Sequence, residues 1–579
     1  MGRSNDAVGE MLEEFAELLA ISGGDPFKVR AYEKAARAVA GYHADVDRLD
    51  EKGLHAIPNV GSHLAHKIIE YRATGSVEEL DELRARVPAG LRTLLSVPGL
   101  GPKRARQVYD ELGITSITEL LGALHDERLR HLRGWGEKSE ENLTQAIQAA
   151  QAAGGRIQLG LALDLAESLL HGLSSRPQVQ RATYAGSLRR MRDTIGDIDL
   201  LVASDEPNAV IGAFTALPLV ARVLARGTTK SSVMTTKGVQ VDLRVVEPSV
   251  WGAALLYFTG SKPHNIRIRE LAARAGLKLS EYGLFEADTG HLVVAETEQD
   301  VYARLGLPWI PPTIREDSGE VEAAVDGSLP ALVQLAAIRG DLHTHTNLTD
   351  GVARLEEMVA AAKARGYRYY AITDHAPLLY MQRMTADKAV DQRHQVRELE
   401  RRACLTLLHG TELNIQPDGS LDWDEDFLAG FDLTVASVHS AFRQSRHAMT
   451  ARLLRAIEHP CVNVIGHPTG RTIGHRPGID ADWDEIFRAA ARTGTALEIN
   501  AYPDRLDLDD RLVRRARHAG VRFVISTDAH AVPHLDYMRF GVATAQRGWA
   551  EAADIINTWP LAKLRRFLAK HPPARARAS

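Results

Sequence analysis

Apolar side chains change their spacing along the chain, and the change separates helical from strand-rich parts. In residues 8–22 and 27–41 they recur every three or four positions, the period of an amphipathic helix, and Pro26 suits a helix start. From about residue 180 the sequence reads as short strands between turns, in ATYAGS (182–187), DIDLLVA (197–203), VQVDLRVV (239–246) and LLYFTGS (255–261). The pattern predicts N-terminal helices followed by a sheet.

After residue 340 strand-like runs alternate with amphipathic helices. The helices are predicted at 355–365, 387–403, 449–458, 482–492 and 509–519. The strand-like runs around them include DLHTHT, YYAITDH, LTVASVH, NVIGHP, ALEIN and RFVISTDAH. Repeated strand–helix units predict a parallel, barrel-like sheet whose catalytic groups lie where the strands end. Residues 310–336 are rich in Pro, Gly and acidic residues, which predicts a linker before this part.

Composition is that of a folded protein, with 45% hydrophobic and 25% charged residues. At roughly 100–200 residues per domain, the length suggests about three to five domains. Cys404 and Cys461 form no Cys-x-x-Cys pair, which argues against a disulfide framework and fits a reducing cytosol. No signal-peptide or membrane-span pattern is evident in the sequence, so we expect a cytoplasmic protein with no membrane partner.

Three similar segments in the N-terminal part predict DNA binding. IPNVGSHLAHKI (57–68), VPGLGPKRARQV (97–108) and LRGWGEKSEENL (132–143) each place glycine before a new helix, with Asn59 in place of one glycine in the first. Glycines let the backbone approach a phosphate, and free N–H groups at a helix start point toward it. The alternative is a turn in which glycine only caps a helix. The candidate DNA contacts are Gly61, His63, Gly99, Gly101, Lys103, Gly134, Gly136 and Lys138.

Two aspartates in DIDLLVA are candidate metal ligands. Residues two apart on a strand share a face, so Asp197 and Asp199 present two carboxylates together. Asp242 lies in another strand-like run and is a candidate third. Three convergent carboxylates suit two Mg²⁺ or Mn²⁺ ions, and the preceding Gly186 and Ser187 resemble a phosphate cradle. Because Asp-x-Asp is common, a solvated strand edge is the alternative.

Histidine and acidic residues accumulate at the ends of the predicted strands after residue 340. A lone histidine there is usually a structural hydrogen-bonder, but nine such residues indicate metal binding. Mixed imidazole and carboxylate ligands suit Zn²⁺, Mn²⁺ or Fe²⁺. Clustered ions would make this part a multi-metal phosphoesterase. The nine candidate ligands are His343, His345, Asp350, His375, Glu412, His439, His467, Asp528 and His530.

The order GSLRR, DIDLLV, VDLRVV and YFTGSKPHN resembles the catalytic core of the family X DNA polymerases. The resemblance covers about the first 315 residues. It implies that Asp197, Asp199 and Asp242 hold the catalytic metals. It further implies nucleotide contacts by Ser187, Arg190, Arg244, Tyr257, Phe258, Gly260 and Asn265.

The segment FKVRAYEKAA…GSHLAHKIIEYRATGS resembles that family's small lyase domain. The resemblance implies that Lys67 forms a Schiff base with an abasic sugar and that Lys28 binds phosphate. The family's further lysine is His63 here. A contact between Lys67 and DNA phosphate alone remains the alternative.

The series HTHTNLTDG, TDH, TEL, SVHS, GHPTGR and STDAH resembles the polymerase and histidinol phosphatase domain, called PHP. The resemblance covers about 340–575 and implies a distorted seven-stranded barrel with up to three metals. It assigns His343, His345, Glu412 and Asp528 to one metal. Glu412 would bridge to a second with His439 and His467, and Asp350, His375 and His530 would hold the third. Arg443 and Arg471 are candidate phosphate contacts, with a plain surface charge as the alternative.

Seven further histidines do not lie at predicted strand ends and are not candidate ligands: His394, His409, His447, His459, His475, His518 and His534.

Together these features predict a multidomain α+β protein. Its parts are a helical lyase-like domain (1–85), a helix-hairpin-helix domain (86–153), a nucleotidyltransferase palm with a mixed sheet (154–248), a nucleotide-selecting subdomain (249–318), a linker (319–338) and a distorted (β/α)7 PHP domain (339–575). The two resemblances imply a DNA repair polymerase that uses deoxynucleoside triphosphates, with a 3'-5' exonuclease and AP-endonuclease or 3'-phosphatase activity. The alternative is a small-molecule phosphatase with a nucleic-acid tether. We expect a monomer.

Overall fold

The computed structural model describes residues 5–22, 24–40, 42, 46–87, 91, 94, 100, 102–137, 139–141, 143–144, 155–379 and 384–570. Within these ranges, no helix is both long and apolar enough to cross a membrane.

The N-terminal part is helical, as the spacing of apolar residues predicts. Val8, Leu12 and Phe15 of the first helix are buried in its core, which extends to Trp135 of the third glycine segment. The described helices are α1 (Asn5–Ile21), α2 (Pro26–Ala40), α3 (Glu51–His55), α4 (Ser62–Thr74), α5 (Glu78–Arg86), α6 (Pro102–Leu112) and α7 (Ile117–His125).

The palm contains a five-stranded mixed sheet with the strand order β2-β4-β7-β6-β5. β4 and β7 are parallel neighbours, and the other pairs are antiparallel. The strands of this part are β1 (Ile157–Gln158), β2 (Arg181–Tyr184), β3 (Thr194–Ile195), β4 (Ile198–Ala203), β5 (Val220–Arg226), β6 (Lys230–Thr235) and β7 (Gln240–Val246). Its helices are α8 (Leu159–Ser174), α9 (Gly186–Arg189) and α10 (Pro207–Thr215).

In the subdomain after the palm, one prediction is wrong. LLYFTGS was predicted as a strand, but Leu255–Thr259 form the end of helix α11 (Trp251–Thr259). Most of this helix is buried, and a short apolar run in such surroundings has the same pattern in a helix as in a buried strand. The remaining elements are α12 (Lys262–Arg274), β8 (Leu277–Ser280), β9 (Gly283–Glu286), β10 (Leu292–Val294) and α13 (Glu298–Arg304).

The segment predicted as a linker carries a short helix, α14 (Glu320–Val325). Glu320 is buried, and its Oε1 lies 2.7 Å from Nδ1 of the buried His264 on α12. Val321 and Ala324 join the core of the preceding subdomain. This part of the segment therefore packs against its neighbours, and the domain boundaries themselves stay predictions.

The C-terminal part is the expected parallel barrel of seven strands. Their spatial order follows the chain, and a parallel bridge between Thr344 and Ala529 brings the first and last strand ends together. The strands are β11 (Gly340–Asp341), β12 (Tyr369–Ile372), β13 (Thr406–Asn414), β14 (Leu433–Ser437), β15 (Val464–Ile465), β16 (Ala496–Asn500) and β17 (Phe523–Ser526). Because all strands run in one direction, their carboxyl ends meet at one rim.

Helices surround this barrel, and the five predicted from the sequence are confirmed to within a few residues. Several begin at a side chain that accepts a backbone N–H of the first turn, as Thr385, Ser445 and Asp509 do. The helices are α15 (Leu355–Ala364), α16 (Ala386–Ala403), α17 (Glu425–Leu428), α18 (Arg446–Glu458), α19 (Trp483–Thr493), α20 (Asp510–His518), α21 (Met538–Arg547) and α22 (Leu561–Leu568).

Candidate active sites

The three palm aspartates lie together at the ends of two neighbouring strands. Asp199 on β4 and Asp242 on β7 are register partners, and Asp197 immediately precedes β4. One carboxylate oxygen from each of the three lies within 4.8 Å of the others. The parallel pairing of β4 with β7 therefore gathers carboxylates that are more than 40 positions apart in the sequence.

Burial and mutual repulsion of the carboxylates favour a cation at this cluster. Burial, together with the charges of Asp197 and Asp242, raises the pKa of Asp199 to about 7. Burial acts in the same direction on Asp242, but hydrogen bonds from Ser232, Lys230 and Gln240 outweigh it and lower the pKa of that carboxyl. Oxygen ligands with an excess of negative charge fit Mg²⁺ or Mn²⁺.

Gly186 allows the turn between β2 and α9 to approach these carboxylates. Its φ is +56°, and a Cβ added there would lie 2.0 Å from Oδ2 of Asp199. Ser187 follows on α9 and is half-buried. Arg190, just beyond α9, donates from Nη1 to the Thr259 carbonyl at 2.5 Å and from Nε to Glu316 at 3.1 Å.

The other candidate nucleotide contacts lie around the end of α11. Phe258 packs edge-on against Tyr257, with ring centroids 5.2 Å apart, and the Arg244 guanidinium lies 5.2 Å from the Phe258 ring centroid. Asn265 donates from Nδ2 to the Tyr257 carbonyl at 2.7 Å. Gly260, with φ +67°, caps the helix. The residues share one neighbourhood beside β7.

In the candidate lyase region, Lys67 on α4 is 6% exposed and forms an ion pair with Glu79. Its Nζ also lies 4.8 Å from the ring centroid of Phe15. His63 Nε2 is 4.0 Å from the same Glu79 carboxylate, and Lys28 is exposed on α2. The amine of Lys67 is therefore engaged by a carboxylate.

The glycines of the first and third DNA-binding segments leave space beside the backbone. A Cβ at Gly61, Gly134 or Gly136 would meet no atom within 4 Å. Gly99, Gly101 and Lys138 lie outside the described residues, as does the side chain of Lys103.

Glu412 lies at the centre of the histidine-rich cluster at the barrel rim. Its Oε1 is 3.0 Å from His467 Nε2 and 3.1 Å from His439 Nε2. Its Oε2 is 2.9 Å from His375 Nδ1 and 3.4 Å from His343 Nε2. A single carboxylate on β13 therefore faces histidines from four other segments of the rim.

Two aspartates complete the cluster. Asp528 Oδ1 lies 3.2 Å from His345 Nε2, and Asp350 Oδ2 lies 3.2 Å from His375 Nε2 and 3.4 Å from His530 Nε2. All nine candidate ligands therefore surround one volume. Three groups in it have ligand atoms within 4.8 Å of one another: His345, Asp350, His375 and His530; His343, His345 and Asp528; and His375, Glu412 and His439.

Unsatisfied nitrogens in this cluster fit metal ions. The buried Nδ1 atoms of His345 and His467 have no hydrogen-bond partner, whereas His343 Nε2 and His375 Nδ1 face the Glu412 carboxylate. Burial would lower the pKa of His343, but the surrounding carboxylates, Glu498 first, outweigh it and raise the pKa well above its usual value. A cluster of imidazoles and carboxylates with open donor positions is the ligand set of a transition metal.

The family models match in the order of these parts. Residues 3–77 match a helix-hairpin-helix domain, 91–149 a SAM-like helix-hairpin-helix tandem, 254–316 the DNA polymerase beta thumb and 341–502 the PHP domain. The chain is 38% identical over 565 residues to the DNA polymerase/3'-5' exonuclease PolX of Bacillus subtilis (strain 168), which covers 97% of this chain and 98% of that protein. The chain belongs to the PHP-containing family X DNA polymerases.

Two eukaryotic relatives match about half of the chain. The chain is 27% identical over 339 residues to DNA polymerase lambda of Rattus norvegicus, covering 53% of this chain and 56% of that protein. It is 24% identical over 325 residues to DNA polymerase lambda of Arabidopsis thaliana, covering 50% and 58%.

The structure adds residues behind the PHP ligands that the sequence analysis missed. Glu498 Oε1 lies 2.7 Å from His343 Nδ1, while its Oε2 accepts the His467 backbone N–H at 2.6 Å. Asn414 Oδ1 lies 2.7 Å from His439 Nδ1. Such contacts orient the imidazoles toward a metal. A single acidic residue inside the apolar run ALEIN gave no sign of this role.

The two candidate phosphate-binding arginines have different surroundings. Arg443 is exposed near the barrel rim. Arg471 donates from Nε to the Arg505 carbonyl at 2.7 Å and from Nη2 to the Leu506 carbonyl at 2.6 Å, and its Nη1 lies 3.3 Å from Asp193 of the palm. These contacts connect the palm to the loop after β16.

Proposed function

We propose that this protein is a DNA repair enzyme that fills short gaps by template-directed synthesis and trims 3' ends with its PHP domain. The observation that carries the proposal is the presence of two separate metal-ligand clusters on one family X chain. The carboxylates of the palm and the histidine cluster of the barrel offer different ligand chemistry to two opposed reactions.

In the palm, the aspartate cluster would hold two ions, Mg²⁺ or Mn²⁺. Such ions supply Lewis acidity and neutralise phosphate charge. Ser187 and Arg190 would contact the triphosphate of an incoming deoxynucleotide, while Tyr257 and Phe258 would face its sugar. Asn265 holds the Tyr257 carbonyl and so would fix that surface.

In the barrel, the nine ligands would hold up to three ions, of Mn²⁺, Zn²⁺ or Fe²⁺. The hydrolysis proposed here is 3'-5' exonuclease, with AP-endonuclease and 3'-phosphatase activity as variants of the same phosphoester cleavage. Glu498 and Asn414 would keep His343 and His439 aimed at the cluster.

We further propose gapped or nicked DNA and deoxynucleoside triphosphates as partners, with the protein acting as a monomer. The DNA substrate and the unpaired Cys404 and Cys461 support a cytoplasmic location. A 5'-deoxyribose-phosphate lyase step at Lys67 would require its ion pair with Glu79 to open first, because the amine must be free to attack.

The direct test uses 5'-labelled gapped DNA and Mn²⁺, with and without deoxynucleotides. The double variant Asp197→Ala, Asp199→Ala is expected to lose extension and keep 3' shortening. The double variant His343→Ala, His345→Ala is expected to show the reverse. If the wild-type protein changes no DNA but releases phosphate from a small ester such as histidinol phosphate, the small-molecule phosphatase takes the place of this proposal.

A further inference from the structure

The loop after β16 carries an arginine that faces the PHP cluster. Arg505 is about a quarter exposed, and its Nε lies 3.7 Å from Oδ2 of the candidate ligand Asp528. Burial alone would lower the pKa of Arg505, but Asp528, Asp504 and Glu412 raise it, which places the guanidinium within the field of the cluster. A positive charge therefore lies beside the ligands at the mouth of the site.

The guanidinium of Arg505 has unused donors. Within the described part of the chain, its side chain makes no hydrogen bond to a protein acceptor, and the contact with Asp528 is longer than the roughly 2.7–2.9 Å of a charge-assisted bond. Arg471, by contrast, uses its guanidinium on the carbonyls of Arg505 and Leu506, and Arg476 donates to the Gly470 carbonyl at 2.8 Å. Arg505 differs from these neighbours in having donors left for a ligand.

The backbone that carries Arg505 is held from several directions. Its N–H donates to the Tyr502 carbonyl at 2.8 Å, and its own carbonyl accepts from Arg471. The Asp504 carbonyl accepts the Ile473 N–H at 2.6 Å. A fixed backbone below a guanidinium with free N–H donors lowers the entropy lost when that group binds a ligand.

We propose that Arg505 binds the scissile phosphodiester of the DNA 3' end at the PHP cluster. A planar guanidinium matches two phosphate oxygens with parallel N–H groups and stabilises the charge that grows on them during hydrolysis. The inference rests on the proposed exonuclease function. It assigns the role of phosphate contact to a residue of the loop after β16, where Arg471 is occupied in holding that loop.

The test is single-turnover and steady-state exonuclease kinetics of the full-length protein with Mn²⁺ and a 5'-labelled oligonucleotide. Arg505→Ala is expected to lower exonuclease kcat/KM by roughly 10²–10³-fold, the loss seen when one transition-state donor is removed. Arg505→Lys should retain part of the activity, and guanidinium ion added to Arg505→Ala should restore part of it. Gap filling by the same variants should stay within about twofold of wild type.

A matched control is Arg511→Ala, which removes an 86%-exposed arginine from the start of α20. It should leave both activities unchanged. The bound manganese and the thermal midpoint of Arg505→Ala should also be measured. They distinguish a residue that binds phosphate from one that only balances the charge of Asp528. If Arg505→Ala loses bound Mn²⁺ together with activity and neither lysine nor guanidinium helps, Arg505 only balances Asp528 and the proposal is overturned.

A loss of less than about threefold in Arg505→Ala would also overturn it. If the wild-type protein fills gaps but shortens no DNA, the proposed exonuclease function itself is wrong and the inference falls with it.

Discussion

His409 is buried on β13, and neither of its ring nitrogens has a hydrogen-bond partner. The ring stacks on Phe431 with centroids 4.9 Å apart. Burial, with the nearby Arg393 and Arg397, lowers the pKa of His409 to about 3. In the unfolded chain the imidazole takes up a proton below about pH 6.5, whereas the folded protein resists it. The stability that His409 contributes is therefore present above pH 6.5 and is lost as the pH falls toward 3.

Replacing this histidine should make the free energy of unfolding depend less on pH below about pH 6.5. The wild type is expected to lose up to about 1.4 kcal/mol per pH unit from this group, and His409→Phe should not. The difference between their thermal midpoints should change by about 2–4 °C from pH 6.5 to pH 5.5. Any packing cost of the larger ring is the same at each pH. His518→Gln, at an exposed position of α20, is the control, and parallel profiles for wild type and His409→Phe would contradict the prediction.

Glu498 is expected to act on the exonuclease through its two oxygens. One lies against His343 Nδ1, and the other accepts the N–H of His467. In Glu498→Gln one of the two oxygens becomes an amide NH₂, so either His343 or His467 would lose its acceptor and its alignment with the cluster. Exonuclease activity should fall roughly 10- to 100-fold while gap filling is unchanged.

The control for this change is Glu485→Gln, which replaces an exposed glutamate in the first turn of α19. Equal loss of gap filling in Glu498→Gln would indicate general misfolding instead.

At the scale of elements, the turn from β2 to α9 contains a position that only glycine fits. Gly186 has φ +56°, and a methyl group there would collide with Asp199. Gly186→Ala should therefore displace Asp199 and lower polymerase kcat/KM at least roughly 100-fold, with exonuclease activity retained. Gly212→Ala on α10 is the matched control, because its nearest atom, Arg226 Nη2, is 3.7 Å away. If Gly186→Ala polymerises normally, this turn does not position Asp199.

Elements with a strong period could be predicted from the sequence, and short buried ones could not. The five predicted barrel helices, α15, α16, α18, α19 and α20, were predicted well because they alternate with apolar strands, whereas the four-residue α17 was not predicted. The prediction of a strand at LLYFTGS was wrong because most sides of α11 are buried, which removes the polar face that marks a helix. The candidate ligands could be found because almost all of them end an apolar run. Glu498 and Arg505 could not, since only closure of the barrel brings them to His343 and Asp528.

At the scale of the whole molecule, α21 of the PHP domain reaches Arg190, the proposed triphosphate contact of the palm. The buried Arg547 donates to the Arg190 carbonyl and to Glu316, both at 3.0 Å, and to Asp510 at 2.5 Å. Glu316 also accepts from the Arg190 side chain. The position of the proposed triphosphate contact therefore depends on a residue of the other catalytic domain.

Arg547→Met should raise the KM for deoxynucleotides about 3- to 10-fold, a loss of order 1 kcal/mol, because Arg190 loses its support. The exonuclease should keep its rate, since α21 carries none of the nine ligands. Both activities should be assayed well below the thermal midpoint, because Glu316 and Asp510 lose a partner with a largely buried side chain and the protein is less stable. Arg539→Ala, on the same helix with partly exposed partners Asp164 and Glu167, should leave both activities unchanged. An equal fall in both activities of Arg547→Met would contradict this coupling.

The two ligand clusters differ in how deeply they lie. Asp197 is exposed and its two partners are half-buried, whereas His343, His345 and Asp528 are all buried. Ions at the first cluster should therefore exchange with the solution quickly, and ions held by the buried His343, His345 and Asp528 should exchange more slowly. Removal of free metal ions should then end synthesis and trimming at different times, and a brief exposure to chelator should leave a protein that trims ends it can no longer extend.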